Sequence, residues 1–146
     1  MNFFKLLAVL ASTLWFTADQ KGQRLFDAGE FREAAEAFED PLRKGIALYR
    51  AGEFKQAQAV FARLDNAEAH FNRGNCLVFM GQYNDAAASY DRALSRRPGW
   101  TEAEDNKRIA LARAEKMKRE GGDMGDQKIG ADEIVFDKTK SGMKGI

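Results

Sequence analysis

The sequence predicts an all-α solenoid: about three stacked helix–turn–helix hairpins, a C-terminal capping helix and a disordered tail. Three observations predict it. A frame of small and aromatic residues occurs three times, as Gly22, Gly29, Phe31, Ala34 and Phe38, as Gly45, Gly52, Phe54, Ala57 and Phe61, and as Gly74, Gly81, Tyr83, Ala86 and Tyr90. In each copy the second glycine follows the first by seven residues, and the aromatic, alanine and second aromatic stand two, five and nine residues beyond it. The segments on either side of each second glycine carry apolar residues at helical spacing. Proline is scarce, with 2 in 146 residues, so little interrupts those helices.

Residues 1–14 come first, as a signal or membrane-anchor segment. From Phe3 to Phe16 the chain is apolar apart from Lys5, Ser12 and Thr13. One lysine ahead of an apolar run is the pattern of a secretory signal or a retained anchor. The run is shorter than the roughly 20 apolar residues that cross a bilayer. Val9-Leu10-Ala11 offers a cleavage site, and membrane attachment through residues 3–16 is the expectation, cleaved or retained. The alternative is a hydrophobic first helix packed on the first hairpin. Trp15 and Phe16 open the folded domain in either case.

The repeat domain spans residues 15–119. Its first hairpin pairs residues 21–28 with 30–39. Glu30, Glu33, Glu36, Glu39 and Asp40 outnumber Arg32 there, which reads as a solvated acidic face rather than a metal cluster. Pro41 opens the next helix, where its missing N–H costs nothing. Leu42, Ile46 and Tyr49 form an i, i+4, i+7 stripe, and Ala57, Ala59, Val60, Phe61 and Leu64 supply the helix that pairs with it. Asn66 is placed to cap the third hairpin, residues 69–80 against 84–96. Gly74 and Ala86 let its two helices approach closely, while Tyr83 and Tyr90 fill the space between them. Pro98 ends the unit. Gly22 to Gly45 is 23 residues and Gly45 to Gly74 is 29, so the second helices of the first two hairpins are clipped.

Thr101 and Glu104 have the spacing of a capping box at the start of a last helix, residues 102 to about 119. Its polar outer face suits the end of a stack, with Trp100 beneath its start. Residues 120–146 are polar and Gly-rich, a composition that stays disordered. Within them Ile134, Val135 and Phe136 stand between acids in the stretch 131–137. Such an island docks as an added strand or a groove-bound peptide, or is an accident of composition.

Little here points to chemistry. Net charge is +1, so bulk electrostatics announces no nucleic-acid partner. Cys76, the one cysteine, excludes an internal disulfide and a cysteine-built zinc site, and its neighbours Leu77 and Val78 mark it as a buried small hydrophobe. His70, the one histidine, reads as a half-exposed helical residue. Glycines seven apart make no phosphate loop without a GKS or GKT. No catalytic, cofactor or metal residue is assigned, and the expectation is a protein that is not an enzyme. The bases late in the chain, from Arg92 to Arg119, lack interleaved stacking aromatics, which favours anionic lipid or an acidic protein over nucleic acid.

The glycine–aromatic–alanine–aromatic–proline order resembles the tetratricopeptide repeat family, whose unit is a helix–turn–helix of about 34 residues. The resemblance covers residues 15 to 119 and implies a groove lined by the first helix of each pair. Carried onto this chain, the inward positions are Asp19, Gln23, Phe26 and Asp27, then Glu39, Leu42, Ile46, Tyr49 and Arg50, then Glu68, Phe71, Asn75, Val78 and Phe79. Of these, Phe26, Leu42, Ile46, Tyr49, Arg50, Phe71, Asn75, Val78 and Phe79 are the candidate partner-binding residues. Asn75 falls where peptide-binding members hold the ligand backbone. The basic residues of members that clamp a C-terminal carboxylate are missing, since Asp19 and Phe71 stand at their lysine position. Phe26, Leu42, Ile46 and Tyr49 serve equally well as packing between neighbouring helices.

Residues 14–20, 22–26 and 69–75 also resemble the repeat region of bacterial inner-membrane proteins of the aerotolerance (Bat-type) operons, in which a von Willebrand A domain and membrane segments precede the repeats. This implies a cell-envelope scaffold on the periplasmic side of the inner membrane. It would bind a protein or peptide partner in its groove, in a complex with a von Willebrand A membrane protein and a chaperone-like ATPase. The alternative is a self-associating structural protein, a homo-oligomer whose tail docks in a groove.

Overall fold

The computed structural model describes residues 17–120. The apolar segment 3–16, with Trp15, and the tail 121–146, with its island at 131–137, lie outside the described residues. Seven α-helices follow in order: α1 (Ala18–Asp27), α2 (Phe31–Ala37), α3 (Pro41–Arg50), α4 (Phe54–Phe61), α5 (Ala67–Phe79), α6 (Tyr83–Arg96) and α7 (Thr101–Arg119). Each packs on the next in sequence, giving three hairpins, α1/α2, α3/α4 and α5/α6, with α7 closing the last. This is the all-α solenoid with a capping helix that the glycine frame predicts.

The frame acts through two kinds of glycine. Gly29, Gly52 and Gly81 sit between the helices of each pair with φ of 81°, 80° and 72°. That left-handed conformation suits glycine and closes a Schellman cap. The caps match: Gly29 N–H donates to Phe26 O and Glu30 N–H to Leu25 O, Gly52 to Tyr49 and Glu53 to Leu48, Gly81 to Val78 and Gln82 to Leu77. The first glycine of each frame does steric work. A Cβ at Gly22 would lie 2.6 Å from the ring of Phe38, one at Gly45 2.5 Å from Phe61, and one at Gly74 2.5 Å from Tyr90. Each first helix therefore receives an aromatic ring from its second helix, sixteen residues on, in the volume a side chain would fill. The sequence reading had Gly74 bring backbones together; the structure shows that it accommodates a ring.

The second helices are clipped as expected. α2 has 7 residues and α4 has 8, against 14 for α6. Pro41 explains α2: the residue before a proline is pushed out of the helical region, and Asp40 has ψ of 118°. The chain runs extended from Phe38 to Asp40, and Asp40 then caps α3 by accepting from Arg43 N–H at 2.8 Å. Asp19 braces this joint, accepting from Glu39 N–H at 2.8 Å and Asp40 N–H at 3.1 Å. Those two N–H groups hold its carboxyl below the ordinary 3.8. α4 stops at Phe61, so Leu64 lies in the turn beyond it rather than in the helix.

Two caps differ from expectation. α1 begins at Ala18 rather than 21, because Thr17 and Gln20 form a reciprocal capping box. The box expected of Thr101 and Glu104 does not form: Trp100 is the N-cap, with no side-chain bond, and Thr101 is already helical. Trp100 is buried and stacks on Phe71 with ring centroids 4.4 Å apart, which fixes the chain one residue earlier. Asn66 caps α5 as expected, accepting from Ala69 N–H at 2.7 Å.

His70 is 6% exposed, a correction to its reading as half-exposed. Its Nε2 lies 2.8 Å from Asp65 Oδ1, and Asp65 also accepts from Arg96 at the end of α6. Cys76 is buried as read, and burial pushes its thiol up to about 12. The outer face of α7 is not wholly polar, since Leu111 and Met117 are 45% and 43% exposed. No helix among the described residues is long and apolar enough to cross a membrane.

Gly74→Ala sets a helix-propensity gain of up to about 1 kcal/mol against an overpacking cost of about 1–3 kcal/mol. Tyr90 is fully buried and its hydroxyl is hydrogen-bonded, so the ring has nowhere to go. The expected outcome in urea unfolding is a net loss of about 1 kcal/mol; a gain would contradict the ring contact. Asp65 carries a pH signature. Arg96 first, then His70, hold its carboxyl down at about 2 from 3.8. A depressed carboxylate stabilises the fold above its unfolded value and loses that contribution as pH falls. The stability difference between the native chain and Asp65→Asn is therefore expected to be lost as pH falls from 3.8 through about 2, read by urea melts across that range.

Candidate partner-binding groove

The first helices of the hairpins stand side by side: α3 touches α5, α5 touches α7, and α1 and α3 share a pocket. They form one wall, and the inward positions of the sequence reading lie on it. The structure sorts those positions into two groups.

In the third hairpin the wall is closed. Phe71, Asn75 and Val78 are buried, at 1%, 0% and 4% exposure. Trp100 lies over Phe71, and α7 covers Asn75. Asn75 Oδ1 accepts from the Tyr90 hydroxyl at 2.8 Å and from Asn106 Nδ2 at 3.1 Å. The asparagine expected to hold a ligand instead ties α5 to α6 and α7. Tyr49 is likewise buried at 2%, against Phe54 and Phe79, and burial raises its hydroxyl above the ordinary range. These four are corrected from groove contacts to core residues. Phe79 is half-buried and stacks on Phe54 at 4.4 Å, joining the second and third hairpins.

In the first two hairpins the wall is open. Phe26, Leu42 and Ile46 are half-buried and Arg50 is exposed. Phe26 and Ile46 meet in a pocket of about 170 Å³, completed by Phe38, Gln23 and Arg43. Its apolar part is a phenyl ring, an isobutyl-sized branch and the Phe38 ring that rests against Gly22. Arg43 is exposed at its edge. Arg50, seven residues along α3, places its guanidinium 4.6 Å from the Phe31 ring and 5.5 Å from the Phe26 ring. The nearby acids are engaged: Asp19 by backbone N–H groups, Asp27 by Gln23 Nε2 at 2.8 Å. The Asp19 carboxylate lies close enough to Arg43 to feel its charge, so the apolar socket has beside it one arginine with an acid nearby, Arg43, and one set over aromatic rings, Arg50.

Arg43 and Phe38 are the site residues that sequence reasoning missed. Arg43 follows Leu42 directly and stands seven residues before Arg50, so helical spacing could have found it. Phe38 was read only as a core aromatic of the frame.

A second cavity, of about 540 Å³, opens between α2, α3 and α4. Ala35, Leu48 and Val60 supply apolar surface, and Arg32, Glu36, Lys44 and Glu53 line it with both signs of charge. Arg32 and Glu53 pair across it at 2.5 Å. Among the described residues no three histidine, cysteine or carboxylate side chains come together as a metal site.

Asn75→Ala strands the Tyr90 hydroxyl and the Asn106 amide inside the core. It is expected to cost about 1–3 kcal/mol in urea unfolding, whereas Arg50→Ala removes an exposed cation–π contact worth about 0.5–1 kcal/mol. The reverse order would return Asn75 to the surface.

Residues 67–99, which comprise α5, α6 and the turn to Gly99, match the tetratricopeptide repeat family. The chain thus carries a tetratricopeptide repeat within an all-helical fold. No curated protein matches the chain.

Proposed function

We propose that the chain is a non-catalytic scaffold that binds a protein or peptide segment on the open wall of its first two hairpins. The observation that carries this reading is the socket of Phe26, Phe38 and Ile46 beside Arg43 and Arg50. Tetratricopeptide repeats, of which residues 67–99 are one, present extended surfaces of stacked helices to protein partners. The socket admits one apolar side chain, and the arginines favour a carboxylate near it. The preferred ligand is therefore an apolar residue flanked by acids. An envelope setting with a von Willebrand A membrane protein as partner rests on the sequence resemblance of residues 14–20, 22–26 and 69–75, and attachment through residues 3–16 on their apolar run.

Affinity capture from membranes tests the reading, with the full chain and with Ile46→Asp as bait. A carboxylate at Ile46 charges the socket and opposes an acid-flanked ligand, at some cost in stability because Ile46 packs against the core. Losing one anchor of about 2 kcal/mol weakens binding about 30-fold. A partner retained by the native chain is expected to be lost from Ile46→Asp at a temperature where the variant keeps its full helical signal. Equal retention by both baits would refute the socket as the binding surface.

A further inference from the structure

The socket has a complement within the same polypeptide. We infer that residues 132–137 of the chain's own tail occupy it, with the Phe136 ring between Phe26, Phe38 and Ile46 and the flanking carboxylates on Arg43 and Arg50. This rests on the reading of the open wall as a binding surface, and it names the first occupant.

Size, charge, spacing and reach all bear on it. An apolar cavity of about 150 Å³ takes a benzene ring, and the socket holds about 170 Å³. Two apolar runs lie outside the described residues. The first, 3–16, has Lys5 as its one charged residue and would bring a cation to two arginines. The second reads Asp132-Glu133-Ile134-Val135-Phe136-Asp137, an apolar core between acids. Asp137 adjoins Phe136, as Arg43 adjoins the socket. Glu133 stands three residues before Phe136, about 10 Å in extended chain. Arg50 stands seven residues beyond Arg43, about 10.5 Å along a helix. Glu133 and Asp137 are thus four residues apart, about 13 Å in extended chain, and the difference from the arginine spacing is less than the reach of an arginine side chain.

Polarity agrees as well. Consecutive helices joined by short turns run antiparallel, so α1, α3, α5 and α7 are parallel. α7 is 19 residues long against 10 for α3, so a tail leaving Arg119 starts about 14 Å beyond the Arg50 edge and meets Arg50 before Arg43. Packed helices lie about 8–10 Å apart, which puts the socket about 20–25 Å across the wall from α7. Residues 121–131 extend to about 36 Å, enough to span it. Tethering supplies an effective concentration in the millimolar range, so the segment fills the socket when the ring and its flanking ion pairs together reach millimolar affinity.

The test is methyl NMR on the full chain, following the Ile46 methyl resonances. Phe136 lies outside the described residues, and Phe136→Ala should leave the helical content of the chain unchanged. The expected result is a displaced Ile46 methyl resonance in Phe136→Ala, with loss of its NOE to the Phe136 ring, at every protein concentration. Replacing Asp132, Glu133 and Asp137 by their amides should move the resonance part of the way, as should high salt in the native chain. An Ile46 resonance unmoved by Phe136→Ala overturns the inference. If Ile46→Asp still abolishes partner capture in that case, the tail assignment falls and the groove reading stands. A displacement that disappears on dilution also overturns it, since the tail then comes from a second copy.

Discussion

One steric relation governs this molecule: an aromatic ring on each second helix fills the volume that a missing Cβ leaves on the first. Gly22 meets Phe38, Gly45 meets Phe61 and Gly74 meets Tyr90, each at under 3 Å from a notional Cβ. The relation holds although the second helices differ twofold in length. α2 stops one residue short of its ring, α4 ends on it, and α6 continues six residues beyond. The ring is thus what a hairpin must reach, and the helix past it is optional. The frame does not recur in α7: thirty-four residues beyond Gly74 stands Arg108, not a glycine. Leu111 is 45% exposed, and among the described residues no further helix covers it.

The architecture was legible because its constraints are local. A glycine, a turn glycine and a ring at fixed offsets specify a hairpin without reference to the rest of the chain, and all three appeared where the frame put them. What escaped the sequence depends on residues far away along it. His70 is buried and bonded to Asp65, which in turn accepts from Arg96, 31 residues away. Trp100 displaced the Thr101 cap because an aromatic stacked on Phe71 outweighs one side-chain hydrogen bond. The Thr17–Gln20 box, by contrast, was there to be read in the sequence.

The wall shows this limit most clearly. The inward positions of the three hairpins are equivalent by offset, yet Ile46 is half-buried while Asn75, at the same offset from its glycine, is fully buried. The difference is α7. It supplies Asn106 to Asn75, and the turn before it supplies Trp100 to Phe71. Offset within a repeat assigns a residue to the wall; the next helix decides whether solvent reaches it. The third hairpin therefore anchors the stack, and the first two carry the accessible surface.

That division sets the strength of any contact the wall makes. Burying one Phe or Ile side chain stabilises a complex by about 1.5–3 kcal/mol, whereas a millimolar affinity needs about 4 kcal/mol. One socket cannot hold an independent ligand alone. A partner gains the rest by extending along Leu42 and toward the Phe54–Phe79 stack, and by pairing with Arg43 and Arg50. A tethered segment needs less, because the tether replaces the cost of association. A short acid-flanked segment of the same chain then suits the socket as a placeholder: it covers apolar surface, keeps the arginines paired, and yields to a longer ligand of the same chemistry. An external ligand displaces it only by adding contacts beyond the socket, so selectivity on this wall comes from length as much as from the anchor residue.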